Sequence, residues 1–136
     1  MKAEIEIPDI RILGLLIEAF EGGSNYWCQV HQKNLAVGVV PSRDLVKSGR
    51  HHIEGDDFGG PAWYRYPFIP GCHVAICDNE GEELGVNLDR EKLQRGLDIM
   101  SRDYPNHFAD VLSENDDSTT GDVFLQCCLY GKVIFG

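Results

Sequence analysis

Three sets of residues in this chain have the chemistry to act on a substrate or hold a metal. Five histidines (His31, His51, His52, His73, His107) and five cysteines (Cys28, Cys72, Cys77, Cys127, Cys128) offer bases, nucleophiles and metal ligands. The acids Glu54, Asp56 and Asp57 fall in one short segment. A nucleophile needs a base in a recognisable local frame, and no Ser or Cys here stands in a nucleophile-elbow or cysteine-peptidase context. The three acids would need burial to work as acid or base, and in a stretch rich in Gly and Pro they are expected to be solvated. Cys72 to Cys77 reads as a strand, where alternation puts Cys72 with Val74 and Ile76 and puts His73, Ala75 and Cys77 on the other face. Cys127 and Cys128 are neighbours on a helix, about 100° apart around its axis. Neither pair can chelate one ion easily. Free cysteine is among the most buried residue types, so core packing is expected for at least four of the five. The alternative is a zinc site from His51, His52, His73 and a cysteine. Asp116 to Gly121 looks like the opening of a calcium loop, but its twelfth place is Cys127, where a bidentate Glu is required. No metal and no cofactor is expected.

The most distinctive segment is Glu21-Gly22-Gly23-Ser24-Asn25-Tyr26-Trp27. Its glycines follow a helix rather than precede one, so they present carbonyls and the negative dipole end, and a phosphate-cradling loop is excluded. Gly22-Gly23 is expected to cap that helix. If Tyr26 to Val30 is a strand, Tyr26 and Trp27 face opposite ways, and one aromatic beside Asn25 is presented for contact. These residues could stack a nucleotide base. Arg65, or the region of Arg43, Lys47, Arg50, His51 and His52, would meet its phosphate. Trp63, Tyr64 and Phe68 are apolar enough to join an interface, including one between copies of the chain. Trp27 is expected in the core and Trp63 at a binding surface.

The elements that must position these residues follow from periodicity. Lys2 to Ile7 alternates as a half-buried strand or arm. Pro8 and Asp9 open a helix whose stripe is Ile10, Leu13, Ile17 and Phe20, widened by Leu16 and Ala19. Leu35 to Val40 reads as a second strand, residues 41–61 as a loop with a helical turn at Ser42 to Lys47, and Trp63 to Phe68 as extended. Cys72 to Cys77 and Glu83 to Leu88 form a hairpin around Asp78 to Gly81. Asp89 caps a helix carrying Leu93, Leu97 and Met100, with Gly96 allowing close approach. Tyr104-Pro105 breaks it, and a further helix runs to Glu114. Thr119 or Thr120 caps a last helix, Asp122 to Tyr130, that Gly131 stops. Val133 to Phe135 either adds a strand or tucks into the core. The expected fold class is α+β: a single domain, residues 1–136, with an antiparallel sheet packed with an N-terminal helix and a helical C-terminal third.

Charge narrows the partners. Twelve Lys and Arg against 22 Asp and Glu leave a formal charge of −10 across 136 residues. Affinity for nucleic acid comes mainly from Lys and Arg on phosphates, so direct nucleic-acid binding and docking on anionic membranes are disfavoured. An acidic surface favours solubility or a basic protein partner. No apolar run approaches the ~20 residues of a membrane span. Met1 to Pro8 has neither a signal-peptide nor a transit-peptide pattern, and a cytoplasmic location is expected.

The segment Glu21 to Trp27, together with Gly121-Asp122-Val123-Phe124-Leu125-Gln126 and Leu129-Tyr130-Gly131-Lys132-Val133-Ile134-Phe135-Gly136, resembles a family of small proteins encoded largely by bacteriophages, prophages and plasmids. The resemblance covers both ends of the chain and leaves the middle variable. That family carries no assigned activity, so the resemblance implies no catalytic residue. It implies a context in which small accessory proteins often inhibit host defence. The expected function is therefore a non-catalytic phage accessory protein that binds a host factor through Glu54, Asp56, Asp57, Glu80, Glu82, Glu83, Asp116 and Asp117. Sequestration of a signalling nucleotide is the alternative, and a small hydrolase or metal-dependent enzyme is a further one.

Overall fold

The computed structural model describes residues 5–30 and 52–136. The expected strand Leu35 to Val40, the turn Ser42 to Lys47, and His31, Arg43, Lys47, Arg50 and His51 lie outside them, as do the first four residues. The fold is α+β, with a three-stranded antiparallel sheet and a set of helices around one apolar core.

Helix α1 spans Asp9–Glu18 and buries Ile12, Leu13, Leu15 and Leu16. It does not end at a glycine cap. The chain widens into a π-helical turn, Ala19–Gly23, closed by the Ser24 N–H donating to the Ala19 carbonyl five residues back at 2.9 Å. A Cβ on Gly23 would run into the Ser118 carbonyl, so the glycine serves close approach. The expected strand from Tyr26 also shrinks. The N–H groups of Trp27 and Cys28 both donate to the Ser24 carbonyl at 3.1 Å, which makes a turn, and β1 is only Gln29–Val30.

Strands β2, Val74–Cys77, and β3, Glu83–Leu88, form the hairpin, and β1 pairs on the other side of β2. Gln29 stands opposite Cys77 and Val74 opposite Leu88, with an irregularity between Ile76 and Cys77. The turn winds about Asp78, whose Oδ1 accepts from the Glu80 and Glu82 N–H groups at 2.9 Å. Residues 62–68 are a 3₁₀ helix, Ala62–Phe68, rather than an extended run. Both states suit a short aromatic-rich stretch, and the core contacts of Tyr64, Tyr66 and Phe68 select the tighter one.

Helix α2 is Arg90–Asp103, with the Asp89 side chain accepting from the Lys92 N–H at 3.0 Å. Helix α3 is Pro105–Leu112, and α4 is Ser118–Tyr130. The cap of α4 is Asp117 rather than a threonine. Its carboxylate accepts from the Thr120 N–H at 3.1 Å, while the Thr120 hydroxyl accepts from the Asp117 N–H, a reciprocal box that satisfies two end donors at once. Gly131, at φ +75°, ends α4 in the left-handed conformation. Residues 120–129 are all buried, so α4 is the central post of the domain. Two glycines let neighbours lie against it. A Cβ on Gly121 would meet the Leu15 carbonyl of α1 at 2.7 Å, and one on Gly96 of α2 would collide with Cys128. Helix α1 therefore packs chiefly on α4.

Candidate functional site

The two end motifs converge on α4. Asp122 and Gln126 are one turn apart in the apolar stretch of α4 that runs from Gly121 to Leu129, and they share one face. Asp122, 8% exposed, takes three donors: the Ser24 hydroxyl at 2.8 Å, the Tyr26 hydroxyl at 2.6 Å and the Trp27 indole N–H at 2.7 Å. A buried carboxylate is tolerable only with such partners. Gln126 holds the C-terminal segment. Its Oε1 accepts from the N–H groups of Ile134 and Phe135 at 2.8 and 2.9 Å, and its amide donates to the Phe135 carbonyl at 3.4 Å. The Val133 N–H donates to the Tyr104 hydroxyl at 2.9 Å. Val133 to Phe135 is thus clasped by side chains instead of joining the sheet. Phe135 stacks on Trp27 with ring centroids 4.6 Å apart.

This arrangement sorts the aromatic candidates. Trp27 is buried and committed at both its ring and its N–H. Tyr26 is 53% exposed. Its hydroxyl end points inward, and burial together with the bond to Asp122 pushes the phenol up to about 12. Asn25 beside it is exposed, and its carbonyl accepts from the Asn79 amide at 2.9 Å, tying the hairpin tip to the segment. Trp63 is half-buried, edge-on to Phe20 at 5.3 Å and to Tyr64 at 4.4 Å. Tyr64 is buried, and its phenol is pushed up to about 12 by that burial and by Glu21. Trp63 and Tyr64 form a packed cluster with Phe20, so Trp63 is less available as a contact surface than its loop position suggests.

Arg65 and Asp56 overturn two expectations. Both side chains are 0% exposed, and the Arg65 Nε lies 2.7 Å from the Asp56 Oδ2. Arg65 also donates to Asp56 Oδ1 at 2.9 Å, to the Pro61 carbonyl at 3.1 Å and to the Phe58 carbonyl at 2.9 Å. It organises residues 56–61 around itself and has no free face for phosphate. Asp56 is not solvated either, because the guanidinium holds it inside. Glu54 and Asp57 are exposed, as are Glu80, Glu82 and Glu83 on the hairpin. Asp116 is engaged by Arg11 at 2.7 Å, and Asp117 is the cap of α4.

All five cysteines are free and buried. Burial pushes Cys28 up to about 12 and Cys127 up to about 11, and it raises the other three thiols, so none is poised as a thiolate. Among the described residues no three His, Cys, Asp or Glu side chains converge to hold a metal, and no helix is long and apolar enough to cross a membrane. His73 is half-buried and His52 exposed.

Sequence reasoning missed the role of Asp122, although a signal existed: two polar residues, Asp122 and Gln126, spaced i, i+4 within an apolar run. Compared with family models, curated proteins and solved structures, the chain matches none.

Proposed function

We propose that this protein is a non-catalytic binding protein that sets an acidic face against a basic surface of a host protein, as a phage accessory protein that blocks a defence component would. One observation carries the reading: four exposed acids, Glu80 and Glu82 at the hairpin tip and Glu54 and Asp57 before the 3₁₀ helix, are left without an ion pair among the described residues. Several bases, by contrast, are spent locally. Arg11 holds the Val111 carbonyl and Asp116, Arg65 is buried, Arg90 donates to the Phe68 carbonyl and Arg102 pairs with Asp103. Charge complementarity steers encounter and selects partners, and proteins that handle nucleic acid offer basic grooves for such a face. The resemblance to phage and plasmid proteins supplies the host context. Sequestration of a nucleotide loses Arg65, which is enclosed, and Trp27, which is buried; among the described residues Tyr26, Asn25 and His52 stay exposed, and Arg43, Lys47, Arg50 and His51 lie outside them.

The test compares the parent with a Glu80→Lys/Glu82→Lys variant in pull-downs from bacterial lysate at rising salt. A specific partner that is lost with salt, and lost at lower salt by the variant, is the expected result. A partner retained equally by both proteins at all salt concentrations would sink the mechanism. A thermal-shift panel of cyclic and linear nucleotides should be flat, and a stabilising response would move the reading to nucleotide capture.

A further inference from the structure

Helix α1 ends beside the turn that opens α4, and a carboxyl group comes to that seam from each side. Glu18, in the last turn of α1, is half-buried, and its Oε2 is sealed from solvent with no donor to accept from. The side chain within hydrogen-bond reach of Glu18 is another acid, Asp116. Two carboxylates are both acceptors and repel, whereas one proton between them makes a hydrogen bond. Glu18 stands where α1 packs on α4. A Cβ on Gly121 would sit 2.9 Å from the Glu18 Cβ, so the helices touch there.

The surrounding charges do not relieve the pair. Arg11, on the same helix, gives one Nη2 to the Asp116 Oδ1 at 2.7 Å and to the Val111 carbonyl at 2.7 Å, and its Nη1 lies 3.9 Å from Glu114. Asp117, from the start of α4, adds another negative charge facing Glu18. His107 of α3 is the titratable group beside Asp117, and its Nδ1 is buried without a partner. Among the described residues, Glu18, Asp116 and Asp117 thus share the one guanidinium of Arg11.

We propose that Glu18 carries a proton at neutral pH and donates it to Asp116, and that this bond is a proton-operated clasp between α1 and the start of α4. Burial, then the bond to Asp116 and the charges of Asp116 and Asp117, push the Glu18 carboxyl from 4.5 up to about 8 against the pull of Arg11. A folded-state value above the unfolded one fixes the sign. Below about pH 4.5 Glu18 is protonated in both states and the clasp contributes fully. Between there and about pH 8 the unfolded chain releases the proton while the folded chain keeps it, so unfolding gains by up to about tenfold per pH unit. Above about pH 8 Glu18 is ionised in both states, and the seam holds against repulsion.

The experiment is urea unfolding of the full chain and of Glu18→Gln from pH 5.5 to 9.5. The glutamine amide donates to Asp116 at every pH, so it keeps the bond without the titration. The ratio of the parent's unfolding constant to the variant's should rise by at least about tenfold from pH 6 to 8 and then level. A ratio constant across the range overturns the proposal. Carbon-detected NMR titration of the Glu18 carboxyl in the parent decides the matter without any variant: a midpoint between about 7 and 9 upholds the clasp, and one below about 6 overturns it.

Discussion

Asp122 and Glu18 are two carboxylates at the packing of α1 and its π-helical turn against α4, and they are solved in opposite ways. Asp122 gathers three donors, all from the turn that follows α1, and among the described residues it makes no ion pair. Glu18 meets another acid and has an oxygen with no donor. The difference teaches that burial alone does not decide the state of an acid. The supply of donors does, because hydrogen bonds to a carboxylate replace the water it gave up. The first region is a permanent fastening of both chain ends. The second depends on a proton.

The strongest way to break the first region is Trp27→Ala. It empties a buried aromatic site, removes the stack on Phe135 and strips one donor from Asp122. A loss of about 3–5 kcal/mol is expected in urea melts, enough to unfold a domain of ordinary stability, about 5–15 kcal/mol. A melt like the parent's would show that the two ends are not fastened there. Next is Asp122→Asn, which keeps the shape but turns an amide donor toward groups that themselves donate. It should cost about 2 kcal/mol and loosen the turn at residues 24–27, seen as faster exchange of the Trp27 indole N–H. Glu18→Gln should behave in the reverse sense. Its stability is nearest the parent's at the acid end of the range and rises relative to the parent's as pH climbs to about 8, since the variant cannot acquire the charge. Were Asp122→Asn to show that same pH dependence, the contrast between fixed and proton-dependent carboxylates would fail. The smallest effect belongs to Glu80→Lys/Glu82→Lys, whose side chains are exposed on a turn held by Asp78. Stability should change by no more than about 0.5 kcal/mol per site, so weakened partner capture by this variant reports on binding alone.

Several of these features are legible in the amino-acid order itself. The helix opened by Pro8 and Asp9, the Asp89 cap, the Tyr104-Pro105 break and the Gly131 stop are signals within one or two turns of the residues they govern, and each element lies where they point. The stripe is less exact, since α1 buries Ile12, Leu13, Leu15 and Leu16 while Ile10, Ile17 and Phe20 are half-buried. The hairpin at Asp78 to Gly81 and the burial of the cysteines are of the same kind. Residues 62–68 are not legible in this way, because a short aromatic run fits a strand or a 3₁₀ helix until its neighbours are known.

Local sequence determined the α+β class, the order of the helices and the hairpin, and the acidic character of the whole, since propensity, capping and net charge act over a few residues or add without regard to fold. Tertiary structure alone decided which charges the protein keeps for itself. Arg65 and Asp56 lie in a stretch without periodicity, and Asp122 finds its donors at residues 24–27 across nearly a hundred positions. Glu18 meets Asp116 only because a glycine lets α1 and α4 touch. A polar side chain is exposed, paired or protonated according to what the fold brings within about 3 Å of it, and no spacing along the chain states that distance.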